Sequence, residues 1–196
     1  MRVAPLAFSF LMLAGSPPAA EPEESDLGAA LVEVPNVGEA VVVYPGEWEA
    51  NTVQPSKDLP PTVRLRSGSD GKPVSLQITL IPDPTRKLSD DKELARAVLG
   101  AGEHFKAGSV EGKTQLVRLP SRTGKGLFAS FTDARWQGQP PPAGEYRHAT
   151  VGAVSLGDTV ASFTLLSNDL EGPNYQLALI VLADGLQRAP PAAPER

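Results

Sequence analysis

The chain has 196 residues and no cysteine, and its 23 acidic side chains outnumber its 18 basic ones, giving a net charge of −5 with neutral histidines. The absence of cysteine excludes disulfides, thiol catalysis and cysteine-ligated zinc or iron–sulfur sites. The acidic balance disfavours nucleic acid and anionic lipid as partners, because both bind clustered Lys and Arg side chains.

The N-terminal segment is typical of a cleavable signal peptide. One positive charge at Arg2 precedes a short apolar run, and small residues follow at positions 16–20. A signal peptidase reads this order, and the run is shorter than the ~20 residues that a membrane-spanning helix needs. We therefore expect residues 1–20 to be removed. The mature protein is then periplasmic or secreted, with no membrane insertion.

The mature chain is predicted to hold one domain between two disordered ends. Residues 21–30 form an acidic arm that is poor in apolar side chains, and residues 189–196 form a Pro-rich tail. Neither composition buries enough surface to order itself. Residues 31–188 are long enough for one ordinary hydrophobic core.

Three early strands are followed by a helix. β-branched or alternating runs predict strands at residues 40–44, 62–66 and 74–80, with the hairpin signal Asp70-Gly71 between the last two. The period then changes to that of a helix, whose apolar stripe comprises Leu94, Val98, Ala101 and Phe105. Asp90 and Glu93 are placed to form a capping box at its start.

Four more strands and a second helix complete the chain. The strands are predicted at residues 114–119, 126–134, 146–154 and 160–166, with a Pro-rich loop at 137–144 and a tight turn at Gly157-Asp158. Pro173 begins an almost wholly apolar helix whose stripe extends to Leu186. This order predicts an α+β fold with a largely antiparallel sheet covered on both faces, an α/β/α sandwich.

Two stretches resemble the PsbP-like superfamily. The run VVVYPGEW, from Val41 to Trp48, is similar to the early strand, Tyr-Pro corner and Trp of these proteins. Residues 152–164, followed by 177–186, are similar to their last hairpin and closing helix. The branch indicated is the bacterial periplasmic, DcrB-type one. The resemblance implies an α/β/α sandwich without a catalytic motif, in a family whose members mostly act by binding other proteins.

No catalytic, cofactor or metal site is predicted. His104 and His148 are interpreted as unrelated positions, because no further ligands stand at metal-binding spacing. Ser155 precedes a turn and is not part of a G-x-S-x-G elbow. A hydrolase built from scattered residues therefore ranks third among the candidate functions.

The candidate binding residues flank the Pro-rich loop. Trp48 is expected to cover the core, whereas Trp136 has less core to enter. Trp, Arg and Tyr are over-represented at binding hot spots, and four such residues could form one patch at the base of the hairpin: Arg135, Trp136, Tyr146 and Arg147. The alternative, that Trp136 only caps an edge of the sheet, stays open.

The sequence thus predicts a non-enzymatic exported protein that binds another protein or a component of the cell envelope. The alternative is a periplasmic carrier of a small molecule. Its pocket would lie between the sheet and the first helix, where Gly100 and Gly102 leave room.

Overall fold

The computed structural model describes residues 26–68, 72–122 and 124–189. The predicted signal peptide, the first half of the acidic arm and nearly all of the Pro-rich tail lie outside these ranges. Within them, two α-helices and ten strands follow one another as β1 (Leu27–Val34), β2 (Gly38–Pro45), β3 (Glu49–Val53), β4 (Thr62–Arg66), β5 (Val74–Pro82), α1 (Asp91–Lys106), β6 (Val117–Leu119), β7 (Lys125–Thr132), β8 (His148–Ser155), β9 (Thr159–Ser167), α2 (Pro173–Asp184) and β10 (Leu186–Arg188).

The strands form two antiparallel sheets. The larger one has seven strands in the order β3-β4-β5-β9-β8-β7-β6, and the smaller one has three in the order β1-β2-β10. Every neighbouring pair within them is antiparallel. The mixed α+β class with antiparallel sheets is therefore confirmed, and strands dominate it.

Helix α1 begins at the predicted cap. The Asp90 carboxylate accepts hydrogen bonds from the backbone N–H groups of Lys92 and Glu93, which would otherwise lack partners in the first turn. The Glu93 carboxylate pairs with Arg96. The buried stripe is Leu94, Val98 and Gly102, with Phe105 half-buried. Ala101 is exposed, so its predicted place in the stripe was wrong, and Gly102 occupies that place.

The two helices cover opposite faces of the seven-stranded sheet. On β8, the Thr150 hydroxyl lies 2.9 Å from the Tyr175 hydroxyl of α2. The next residue, Val151, packs in a cluster with Phe105 of α1. Since successive side chains of a strand point to opposite faces, α1 and α2 lie on opposite sides of β8.

Helix α2 ends earlier than predicted. It ends at Asp184, and Leu186, which the sequence pattern placed on the helix, is the first residue of β10. Gly185 explains the change of direction. Its N–H donates to Val181 O, and its own carbonyl accepts a hydrogen bond from Val43 N on β2.

The predicted arm extended too far into the domain. Residues 27–30 are the first half of β1, which pairs with β2 over its whole length. Gly28 fits this pairing because the ring of Tyr44 lies where a Cβ would be. Strands β3 and β10 were also missed. β3 is almost entirely exposed, and β10 has only three residues. Neither strand therefore shows an apolar pattern.

The remaining boundaries differ by a few residues. β6 is limited to Val117–Leu119, β7 ends at Thr132, and β8 begins at His148. The predicted turn at Gly157 is confirmed by its left-handed backbone, with φ of 91°. The predicted hairpin pairing of β4 with β5 is also present, although the turn residues 69–71 lie outside the described ranges. None of the described helices has the length and apolar character of a membrane span.

Candidate functional site

The predicted patch lies at one end of the seven-stranded sheet, where β7 ends and β8 begins. Asp133 caps a short 3₁₀ turn, Ala134–Trp136, by accepting the Arg135 N–H at 2.9 Å. Its own N–H donates to Arg147 O, 2.8 Å away. This backbone contact joins the two sides of the Pro-rich loop, so the segments that carry the patch are held side by side.

Arg135 is held by carboxylates. Its guanidinium binds Asp133 at 2.6 Å and lies 3.8 Å from Glu145. The Arg135 hydrogen bond lowers the pKa of the Asp133 carboxyl, so the pair stays ionised. Arg135 therefore brings no uncompensated charge to the site.

Trp136 is half-buried and serves as a platform for Arg135. The guanidinium carbon lies 5.3 Å from the centre of the indole ring, within the range of a cation–π contact. The indole N–H is buried, and no acceptor for it lies among the described residues. Trp136 thus covers part of the sheet end and also presents a donor without a partner.

Arg147 differs from Arg135 because it has no carboxylate partner. Its backbone N–H donates to Asn168 Oδ1 at 2.7 Å, and its Nη2 donates to Gln139 O at 2.8 Å. Its Nε is buried without an acceptor. No ion pair of the described chain includes Arg147. The guanidinium is therefore positioned by backbone oxygen, and its charge is not neutralised.

A cavity of about 330 Å³ opens beside these residues, beyond the last turn of α1. It brings together three of the four predicted binding residues, both histidines, and several apolar side chains: Arg135, Tyr146, Arg147, His104, His148, Phe105, Phe131, Ala149 and Leu166. Trp136 lies next to the cavity and is not among its lining residues. We call this cavity, with its neighbour Trp136, the hairpin-end site.

Both histidines line the same cavity, which the sequence did not indicate. His104 is in the last turn of α1, and His148 is the first residue of β8. Only the packing of α1 on β7 and β8 brings them together. No group of three or more His, Asp or Glu side chains in the described chain is arranged to hold a metal ion.

His148 is linked to a carboxylate through a threonine. Its Nδ1 lies 3.1 Å from Thr132 Oγ1, which in turn donates to Glu111 at 2.8 Å. Burial, and then the Arg147 charge, lower the pKa of His148, and Glu111 partly opposes this shift. The imidazole is consequently neutral at pH 7. In the hydrolytic triads the imidazole lies between the carboxylate and the nucleophilic hydroxyl. Here the Thr132 hydroxyl lies between the carboxylate and the imidazole, so the arrangement is not that of a triad.

The room that the sequence analysis assigned to Gly100 and Gly102 for a carrier pocket is not found at either glycine. A Cβ added to Gly102 would lie 3.0 Å from both Phe131 Cζ and the side chain of Thr114. Gly100 is exposed, with nothing within 4 Å of an added Cβ. Gly102 therefore permits close packing, and the cavity lies at the end of the helix instead.

Sequence reasoning missed an exposed apolar surface on the three-stranded sheet. Leu27 and Leu31 of β1 are 63% and 61% exposed, and Ile180 of α2 is 55% exposed. A shallow groove between β2 and α2 is lined by Leu27 and Ile180, together with Val43, Leu177 and others. The signal was present in β1, where apolar residues occupy both alternating sets of positions. No described segment covers this surface.

Comparison with known proteins adds no assignment. No family model matches the chain, and neither the curated proteins nor the solved structures contain a match to it.

Proposed function

We propose that this chain is an exported, non-enzymatic binding protein, and that its hairpin-end site contacts another protein or a component of the cell envelope. The proposal includes a PsbP-like α/β/α sandwich of the DcrB-type branch. The export signal at residues 1–20, the order of the elements and the position of the helices on opposite faces of the sheet support it.

The observation that carries the proposal is the juxtaposition at the hairpin end. Arg135, Tyr146 and Arg147 come from both sides of the Pro-rich loop and line one cavity. Trp136 lies beside them with a buried N–H that lacks an acceptor in the described chain. Aromatic and Arg side chains around a recess are typical of binding hot spots.

Site-specific crosslinking tests the contact. A photoreactive amino acid replaces the exposed Gln137, and, as control, the exposed Arg64 on β4. In cells that export the protein, we expect a discrete crosslinked species from position 137 that disappears in Trp136→Ala and is absent from position 64. A species that forms equally from both positions, or that persists without Trp136, would contradict the proposal.

Export has its own test. Sequencing the N terminus of protein taken from the cell envelope fraction is expected to begin near residue 21. A chain that keeps Met1 and stays in the cytosol would overturn the export proposal, and it would leave the crosslinking result as a separate question.

A small-molecule carrier is the second candidate, and the cavity favours it. Its volume of about 330 Å³ is at the lower end of the range for small-molecule sites. Native mass spectrometry of protein purified from its own compartment would show a bound mass that is lost on denaturation. A protein–protein crosslink without such a mass favours the first candidate.

A further inference from the structure

We infer that the cavity of the hairpin-end site takes a carboxylate attached to an apolar, ring-sized group. This inference rests on the proposed binding function and specifies the chemistry that the site recognises. Two sources supply this chemistry: a free amphipathic acid, and the C-terminal carboxylate of a partner chain that ends in an apolar residue.

The charges that line the cavity select an anion. Arg135 is neutralised by Asp133, to which it is bound at 2.6 Å. His148 is held neutral by burial and by its neighbour Arg147. Arg147 therefore supplies a positive charge without an ion-pair partner, in a chain whose net charge is −5. A ligand with one negative charge would complete the pair.

The geometry of Arg147 suits a carboxylate. The Nη2 hydrogen bond to Gln139 O, 2.8 Å long, holds the guanidinium in place before any ligand arrives. The Nε donor has no acceptor in the described chain, and an unsatisfied buried donor is costly. A guanidinium presents its N–H groups in a planar fork that matches a carboxylate. Pre-positioning also reduces the entropy lost on binding.

Another part of the cavity lining is apolar and aromatic. Phe105 of α1 and Phe131 of β7 are stacked with ring centres 5.8 Å apart. Ala149 and Leu166 complete this part of the lining. Phe131 is already buried, whereas Phe105, Ala149 and Leu166 are half-buried. A ligand that placed only a charge here would leave these three side chains against water. One that also carries a ring or a branched chain would bury their surface, which is the main source of affinity at such sites.

Two probes that differ only in charge test the inference. N-acetyl-L-phenylalanine carries the carboxylate, and N-acetyl-L-phenylalanine amide carries a neutral group of the same shape. With the full mature chain, two-dimensional NMR titration is expected to show the acid perturbing signals of residues around the cavity. The amide should bind at least about tenfold more weakly, because a hydrogen bond to a charged group is worth more than one to a neutral group.

Variants assign the effect to Arg147. Arg147→Gln should weaken binding of the acid to the level of the amide. Arg147→Lys keeps the charge without the planar fork, so its affinity for the acid should lie between those of the wild type and Arg147→Gln. Arg64→Gln is the matched control, since Arg64 is exposed on β4, three strand positions or about 14 Å from β8. It should bind the acid as the wild type does. Circular dichroism verifies that each variant is folded.

Two further ligands distinguish the sources. A tetrapeptide with a free C-terminal Phe that binds more tightly than N-acetyl-L-phenylalanine identifies a partner's C terminus. Binding of 3-phenylpropionate without binding of the tetrapeptide identifies a free acid. Equal binding of acid and amide, no binding of any probe, or binding that survives Arg147→Gln overturns the inference. The crosslink from position 137 does not depend on these results, so the proposed function can stand while this inference fails.

Discussion

Replacing Gly100 and, separately, Gly102 with Ala measures how closely α1 approaches the seven-stranded sheet. Both glycines lie inside the helix, where Ala is favoured over Gly by about 1 kcal/mol. At Gly100 the added methyl group meets nothing within 4 Å. At Gly102 it would lie 3.0 Å from Phe131 Cζ and from the side chain of Thr114.

The expected magnitude follows from what holds these neighbours. Phe131 is 2% exposed and is stacked on Phe105, so its ring has little freedom to move away. Inserting a methyl group into a well-packed core costs about 1–3 kcal/mol. Gly100→Ala should raise the free energy of unfolding by about 0.5–1 kcal/mol. The free energy of unfolding of Gly102→Ala should be about 1–3 kcal/mol lower than that of Gly100→Ala.

Equilibrium urea denaturation, followed by far-ultraviolet circular dichroism, measures the difference. The denaturation midpoints of the two variants are compared with that of the wild type, and equal m-values show that the unfolded states are comparable. Tryptophan fluorescence, to which the buried Trp48 and the half-buried Trp136 both contribute, is a second probe of the same transition. Equal stabilisation by both substitutions would refute the close packing at Gly102. The conclusion that no room for a ligand lies between Gly102 and the sheet would then be wrong as well.

Three further predictions concern single side chains, each measured by urea denaturation. Asp90→Ala removes the acceptor for two N–H groups of α1 and should lower the free energy of unfolding by about 1 kcal/mol. Asp90→Asn keeps an acceptor and should lower it by less. Equal losses of stability in the two variants would argue against capping. Tyr175→Phe removes the hydroxyl bound to buried Thr150 and should cost about 1 kcal/mol; an unchanged midpoint would contradict a role for this bond. Because folding lowers the pKa of His148 below 6.5, the unfolded chain takes up this proton first, so the wild type should lose stability as pH falls from 6.5 through the folded-state pKa. His148→Gln should lose less stability than the wild type between about pH 7.5 and about pH 5.5. An identical loss of stability in both proteins would assign the pH dependence to other groups.

Elements with a strong local pattern are predictable from the sequence. β5 alternates between buried and outward residues along most of its length, and its pattern predicts residues 74–80 as a strand. α1 starts at its cap residue Asp90, because the cap and the apolar period agree. Trp48 is 4% exposed, as expected of an aromatic residue that follows a strand and a turn. In each case one short segment contains the whole signal.

The elements that were missed depend on contacts with distant segments. β1 follows an acidic run and contains Gly28, two features that argue against order. The ring of Tyr44, on the partner strand, covers Gly28, and pairing with β2 supplies the hydrogen bonds. β10 is only three residues long and exists because Val42, Val41 and Ala40 are available as partners. No local pattern contains this information.

The residues of the candidate site also differ in whether a local sequence pattern predicts their position. Arg135, Trp136, Tyr146 and Arg147 flank one loop, so their proximity follows from a hairpin prediction alone. His104 comes from another element, and its place in the cavity depends on the position of α1 over β7 and β8. The sequence predicts the helix without indicating which strands it covers.

The packing of α1 also connects the fold to the chemistry of the site. Gly102 lets the helix approach until its surface meets Phe131, and Phe131 stacks on Phe105 one turn later. These two rings belong to the apolar lining of the cavity, and Arg147, the residue before β8, provides a positive charge there. A helix held further from the sheet would separate the rings and open the cavity to water. The shape of the cavity therefore depends on Gly102, which is not among the residues that line it.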